Sequence, residues 1–167
     1  MGNKDARRYP VISLGAEHLV IGHLLRRNIL TYKAPPNNEG YDLICIHPDP
    51  RKSGAQIRVQ VKSRYQTNSD RAFSLKDKSF DTFDYLIVVF LNNGYYYYKN
   101  RPVREGFMEP EFYTLSVEFL KKHHQKAKSG WERVLTKGVG MDQYKNERGF
   151  ETIANNLGIP YPGTENN

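Results

Sequence analysis

The stretch Asp84-Tyr85-Leu86-Ile87-Val88-Val89-Phe90-Leu91 constrains this chain more than any other. Its apolar run, Leu86 to Leu91, is far too short to cross a bilayer, which takes roughly 20 residues. Branched and aromatic side chains favour an extended backbone, and a strand apolar on both faces must be covered on both. Such a strand belongs in the middle of a layered structure, and the rest of the sequence supplies the layers. Apolar spacing predicts a helix from Ser13 to about Asn28, with Ser13 as N-cap and Leu14, Leu19, Val20, Ile21, Leu24 and Leu25 along it. A short extended piece at Ile29–Lys33 follows, then strands at Tyr41–Ile46 and Gln56–Ser63, and a brief one at Ala72–Leu75. Asn92-Asn93-Gly94 reads as a hairpin turn leading to Tyr95–Lys99. Thr114–Lys128 reads as a helix capped at Ser116, and Met141–Leu157 holds another, ended by Gly158 and Pro160. The tail from Tyr161 is expected to fray. Helix, strands, then helices make an α/β fold, with a central mixed sheet flanked by helices.

At 167 residues, 38% hydrophobic and 26% charged, the chain reads as a single folded domain, 1–167. The core spans about 13–91, and a more helical, basic portion spans about 100–160. A net charge of +7 suits a polyanion partner, because Lys and Arg release counterions from phosphates. Cys45, the single cysteine, rules out an internal disulfide and a thiolate zinc cluster and fits a reducing compartment. The first residues lack the apolar core of a signal peptide, and Ala6 breaks the myristoylation pattern. A cytoplasmic location without membrane association is expected.

Three pieces carry candidate chemistry. In Gln56-Ile57-Arg58-Val59-Gln60-Val61-Lys62-Ser63-Arg64, alternation puts Ile57, Val59 and Val61 on one face and Arg58, Gln60 and Lys62 on the other. Asp42 heads an otherwise apolar strand on the face of Ile44 and Ile46. A carboxylate there is costly to bury unless a lysine or a metal answers it, although capping the Gly40 turn would also occupy it. Glu17 lies on the preceding helix, where a surface glutamate is the plainer reading.

Gly15-Ala16-Glu17, Gly40-Tyr41-Asp42 and Val59-Gln60-Val61-Lys62-Ser63, in that order, resemble the PD-(D/E)XK (restriction-endonuclease-like) nuclease superfamily, over roughly residues 13 to 91. The resemblance implies a restriction-endonuclease-like core and Mg²⁺-dependent hydrolysis of DNA phosphodiesters, with Mn²⁺ able to substitute. It implies Asp42 as main metal ligand, Glu17 as a direct or water-mediated ligand, and Lys62 as the group that orients the attacking water. Gln60 stands where the family commonly has Asp or Glu. Its carbonyl oxygen can ligate a metal, but it brings no charge, which argues against a second metal.

Arg51, Lys52, Arg58, Arg64, Arg71, Lys76 and Lys78 flank these pieces and are candidates for tracking a DNA backbone. Tyr95 to Tyr98 and Tyr113 are candidates for stacking on bases, although strand tyrosines more often pack half-buried. His18 is given a supporting role at most, and His47 is read as an exposed loop histidine. The pair His123-His124 sits in a lysine-rich helix that is either a solvated face or a DNA-backbone contact. The expected function is a metal-dependent DNA endonuclease of restriction, homing, junction-resolving or repair type. Its partner is double-stranded DNA, and a homodimer is expected for cutting both strands. The alternatives are a catalytically silent DNA-binding module of the same fold and a basic RNA-binding protein. No GXXG loop or aromatic RNA-binding strand supports the last.

Overall fold

The structure, a computed structural model, describes residues 10–65, 71–93, 96–98, 101–103 and 108–162. A five-stranded mixed sheet runs through its centre in the order β1 (Leu30–Lys33), β2 (Leu43–Ile46), β3 (Gln56–Arg64), β5 (Tyr85–Phe90) and β8 (Glu111–Ser116). Only β3 and β5 pair in parallel; their neighbours are antiparallel. The apolar run is β5, and its alternation serves two cores. Ile87 and Val89 face one layer while Leu86, Val88 and Phe90 face the other. All five are at most 1% exposed. Each such side chain contributes roughly 1.5–3 kcal/mol of burial, which is why the run carries no polar residue.

The first layer is helical. Helix α1 (Ile12–Leu25) turns Ala16, Val20 and Leu24 onto Leu43, Val59 and Val61. Helix α3 (Glu147–Asn156) adds Phe150, Ile153 and Ala154 to the same cluster. Gly149 lets α3 lie close to β8, since a Cβ there would come within 2.4 Å of the Tyr144 carbonyl and 2.7 Å of Thr114 Oγ1. The second layer is a small sheet in the order β4 (Phe73–Ser74), β10 (Glu132–Val134), β9 (His124–Lys126), with helix α2 (Val117–His123) beside it. Phe73, Phe119, Leu120 and Val134 pack there against Leu86 and Val88. Short 3₁₀ turns occupy Asp77–Ser79 and Asp142–Tyr144.

Several local expectations are corrected. Helix α1 begins at Ile12 with no side-chain cap, so Ser13 is not its N-cap. Leu14, Leu19 and Leu25 remain 40–46% exposed, and the buried stripe is narrower than the apolar spacing suggested. The expected helix Thr114–Lys128 is three elements. Residues 114–116 end β8, α2 covers about two turns, and β9 follows. Pairing of Phe112, Tyr113 and Leu115 with β5 overrides their helical neighbours, while Ser116 does cap α2, accepting from Phe119 N at 3.2 Å. The sheet therefore continues past the stretch that carries the sequence resemblance. The strand after Asn92-Asn93 does not fold back on β5. Instead β6 (Tyr96–Tyr98) pairs with β7 (Arg101–Val103), and Gly94, Tyr95 and Lys99 lie outside the described residues. Tyr161, assigned to a frayed tail, is 6% exposed and donates to Glu147. No helix among the described residues is long and apolar enough to cross a membrane.

Candidate active site

Where β2 diverges from β3, Asp42 extends the ladder. Its N–H donates to the Val59 carbonyl at 2.9 Å, and its Oδ2 accepts the next available N–H, that of Val61, at 2.7 Å. The Asp42 carboxylate is thus fixed to the sheet and does not cap the Gly40 turn. That turn is built on Gly40 at φ 106°, where a Cβ would overlap Thr82 and where Thr82 Oγ1 donates to the Gly40 carbonyl. Gln60 Nε2 also donates to Asp42 Oδ2, at 2.6 Å, and reaches the Val61 carbonyl at 3.3 Å. Asp42 Oδ1 accepts a hydrogen bond from no described residue.

Burial pushes the Asp42 carboxyl above its ordinary value. The Val61 N–H works against that shift, the charge of Glu17 adds to it, and Lys62 and Lys33 oppose it. Glu17 is tied to Lys33 Nζ at 2.6 Å, Lys33 being the last residue of β1. Glu17, Lys33, Asp42, Gln60 and Lys62 therefore form one electrostatic neighbourhood, drawn from α1, β1, the approach to β2, and β3.

Asp84 provides the contrast. On the other edge of β3 it accepts from Arg58 N at 2.7 Å, the same device Asp42 uses at Val61. Burial would raise its carboxyl, but the Arg58 guanidinium and N–H outweigh that and hold it low. Asp84 is answered by a fork of two hydrogen bonds from Arg58; Asp42 has no direct cationic partner among the described residues. Asp42 is thus a half-buried carboxylate with one oxygen open, Glu17 contributes a second carboxylate charge to its surroundings, and Lys62 opposes both. The side chains that could contribute to holding a cation are Asp42 and Glu17, with Gln60 able to join them if its amide turns its oxygen inward. Among the described residues no group of three His, Cys, Asp or Glu side chains could hold a metal.

The other candidates scatter. Lys62 and Lys76 line one groove. Lys52 and Lys78 are exposed and Arg64 is half-exposed at the end of β3. Arg51 grips Asp49 and Arg58 grips Asp84. Arg71 is turned onto Glu111 and the Tyr113 hydroxyl, its guanidinium 5.4 Å from the Phe90 ring. Tyr113, at 2% exposed, is a core residue and cannot stack on a base. His47 is buried rather than exposed and accepts from Asp49 N through Nδ1. His18 is exposed. His124 belongs to β9, not to a helix, and its Nε2 lies 3.1 Å from Glu132. Tyr95 lies outside the described residues.

The fold has a solved counterpart. The structure of a bacterial homing endonuclease, I-Ssp6803I, matches with a TM-score of 0.52 at 16% identity, over 95% of this chain and 96% of that one. At that identity the likeness with I-Ssp6803I is one of fold. The match spans nearly the whole of both chains. No protein-family model matches the sequence, and neither does any curated protein.

Sequence reasoning missed Lys33 and Trp131. Lys33 reaches Glu17 through the β1–β2 register, which places it opposite Leu43. Nothing in the local sequence marks that register. Trp131 shares a groove with Lys62 only because β10 packs beside β4.

Proposed function

We propose that this chain is a metal-dependent DNA endonuclease of the PD-(D/E)XK type, with Asp42, Glu17, Gln60 and Lys62 as its active site. The observation that carries the reading is Asp42: a carboxylate anchored to β3 by Val61 N–H, with an open oxygen, near Glu17 and Lys62. The fold shared with a homing endonuclease and the net charge of +7 support it. A bound Mg²⁺ would polarise the phosphate and lower the pKa of its water. Asp42 and Glu17 would hold the ion. The sheet fixes Asp42, so little reorganisation is needed when charge develops. Lys62 would orient the attacking water and offset charge on the phosphate. One site serves one strand, so a symmetric pair of chains is the expected cutting unit on duplex DNA.

The Gln60 bond to Asp42 favours a second reading, a DNA-binding module that has lost catalysis, because an amide N–H sits where the family usually adds negative charge. A plasmid-cleavage assay in Mg²⁺ or Mn²⁺ separates the two. Cutting by the wild type, lost in Asp42→Ala, and lost with DNA binding retained in Lys62→Ala, supports the nuclease. No cutting, together with no Mn²⁺ uptake by calorimetry, leaves the binding module. Full activity in Lys62→Ala would sink that residue's assignment.

A further inference from the structure

The groove beside Lys62 has a volume of about 400 Å³ and is lined by Lys62, Ser74, Lys76, Ser79, Trp131 and Glu132. Glu132 is already engaged. It accepts from Asp77 N at 2.6 Å, faces His124 Nε2 at 3.1 Å and lies 3.4 Å from Lys126 Nζ. Beside that paired carboxylate, the groove presents two lysines, two hydroxyls, an indole and the Leu75 and Gly130 surfaces. Trp131 is the only tryptophan in the sequence and is 52% exposed. Burying such a ring is worth more than burying any other side chain, so a solvated one is notable.

The position is tied down by backbone hydrogen bonds. The hairpin between β9 and β10 closes with Ala127 N donating to the Trp131 carbonyl at 2.8 Å and Gly130 N to the Ala127 carbonyl at 2.9 Å, Gly130 taking φ 81°. Three residues along, Val134 is fully buried and pairs with Phe73 of β4. The Arg133 guanidinium lies 5.0 Å from the indole centroid and covers part of the ring, yet half of it stays open. An aromatic ring held beside lysines at a phosphate-handling residue has the chemistry that takes a nucleobase by stacking and its phosphate by charge.

We propose, resting on the nuclease reading, that the groove between Lys62 and the β9–β10 hairpin holds an unstacked nucleobase of the strand to be cut. Trp131 stacks on the base, Lys76 contacts its backbone, and the adjoining phosphate reaches Lys62. The preferred substrate is then DNA with an exposed base at the cut site, and continuous duplex must be distorted to enter.

A lone tryptophan makes the test direct. The full chain is titrated in EDTA with fluorescein-labelled dT20 and, separately, with a blunt 20-base-pair duplex, following anisotropy and tryptophan emission together. The expected result is quenching that tracks dT20 binding, and about tenfold weaker dT20 binding by Trp131→Ala, the size of one lost base–aromatic stack. Trp131→Phe should recover most of that affinity, and Trp131→Ala should melt close to the wild type, which a role in hairpin folding alone would not predict. Binding of dT20 with unchanged emission, or wild-type affinity in Trp131→Ala, overturns the groove assignment and leaves the nuclease reading intact. Quenching by duplex but not by dT20 overturns the unstacked-base form. Absence of both DNA binding and cleavage overturns the nuclease reading and this inference together.

Discussion

Asp42 and Asp84 bracket β3 with the same backbone device, yet their carboxyls shift in opposite directions, Asp42 up by burial and Asp84 down because it meets an arginine. Two substitutions probe how Asp42 is set. Gly40→Ala puts a Cβ onto Thr82 at a positive φ, and about 1–3 kcal/mol of stability should be lost in a thermal melt. Cleavage should fall further than that loss implies, since the turn delivers Asp42. Gln60→Glu replaces an N–H donor to Asp42 with a carboxylate. Without metal the two carboxylates repel and the melting temperature should drop; Mn²⁺ should bind about tenfold more tightly by calorimetry. Unchanged Mn²⁺ affinity would remove Gln60 from the ligand set. Gln60 and Lys62 were legible in the sequence because alternation alone puts them on one face of β3. The fixing of Asp42 by Val61 N–H was not, because it depends on where β2 leaves the sheet.

At the scale of elements, β5 was legible because two-sided burial leaves a continuous apolar run. β8 was not. Its own buried run, Phe112 to Leu115, is followed immediately by a capped helix, and the helical signal spread backwards across the boundary. Ile87→Ala in β5 should cost about 2–5 kcal/mol by denaturant unfolding, as for other fully buried aliphatics. Besides the apolar cluster they share, the ends of α1 and α3 are joined by an ion pair. Arg27, with a side chain 9% exposed, donates to Glu147 and, at 2.7 Å, to the Tyr161 hydroxyl. The hydrogen bond from Arg27 holds the Glu147 carboxyl at about 2, against an ordinary 4.5. A depressed folded-state value stabilises above the unfolded one. The contribution is whole above pH 4.5 and lost as pH falls toward 2. The Glu147 side chain is 62% exposed, so water screens the pair. Glu147→Gln should then cost about 1 kcal/mol at pH 7 rather than the full linkage value. The gap between the two melting curves should close as pH drops through that window; a gap that persists at pH 2 would show the bond is not ionic.

On the scale of the whole molecule, one sheet separates two apolar clusters, and β5 and β8 serve the layers on either side. The helical layer carries Glu17, the sheet carries Asp42, Gln60 and Lys62, and the small second sheet carries Trp131. The candidate site therefore lies along the seam where the layers meet. Because the strands between the clusters are common property, neither half can melt and leave the other intact. Unfolding should be a single cooperative event. Trp131 emission, which follows the second layer, and far-UV circular dichroism, dominated by helices of the first, should trace one superimposable transition. Activity should vanish along the same curve, and two resolved steps would show that the halves are energetically independent.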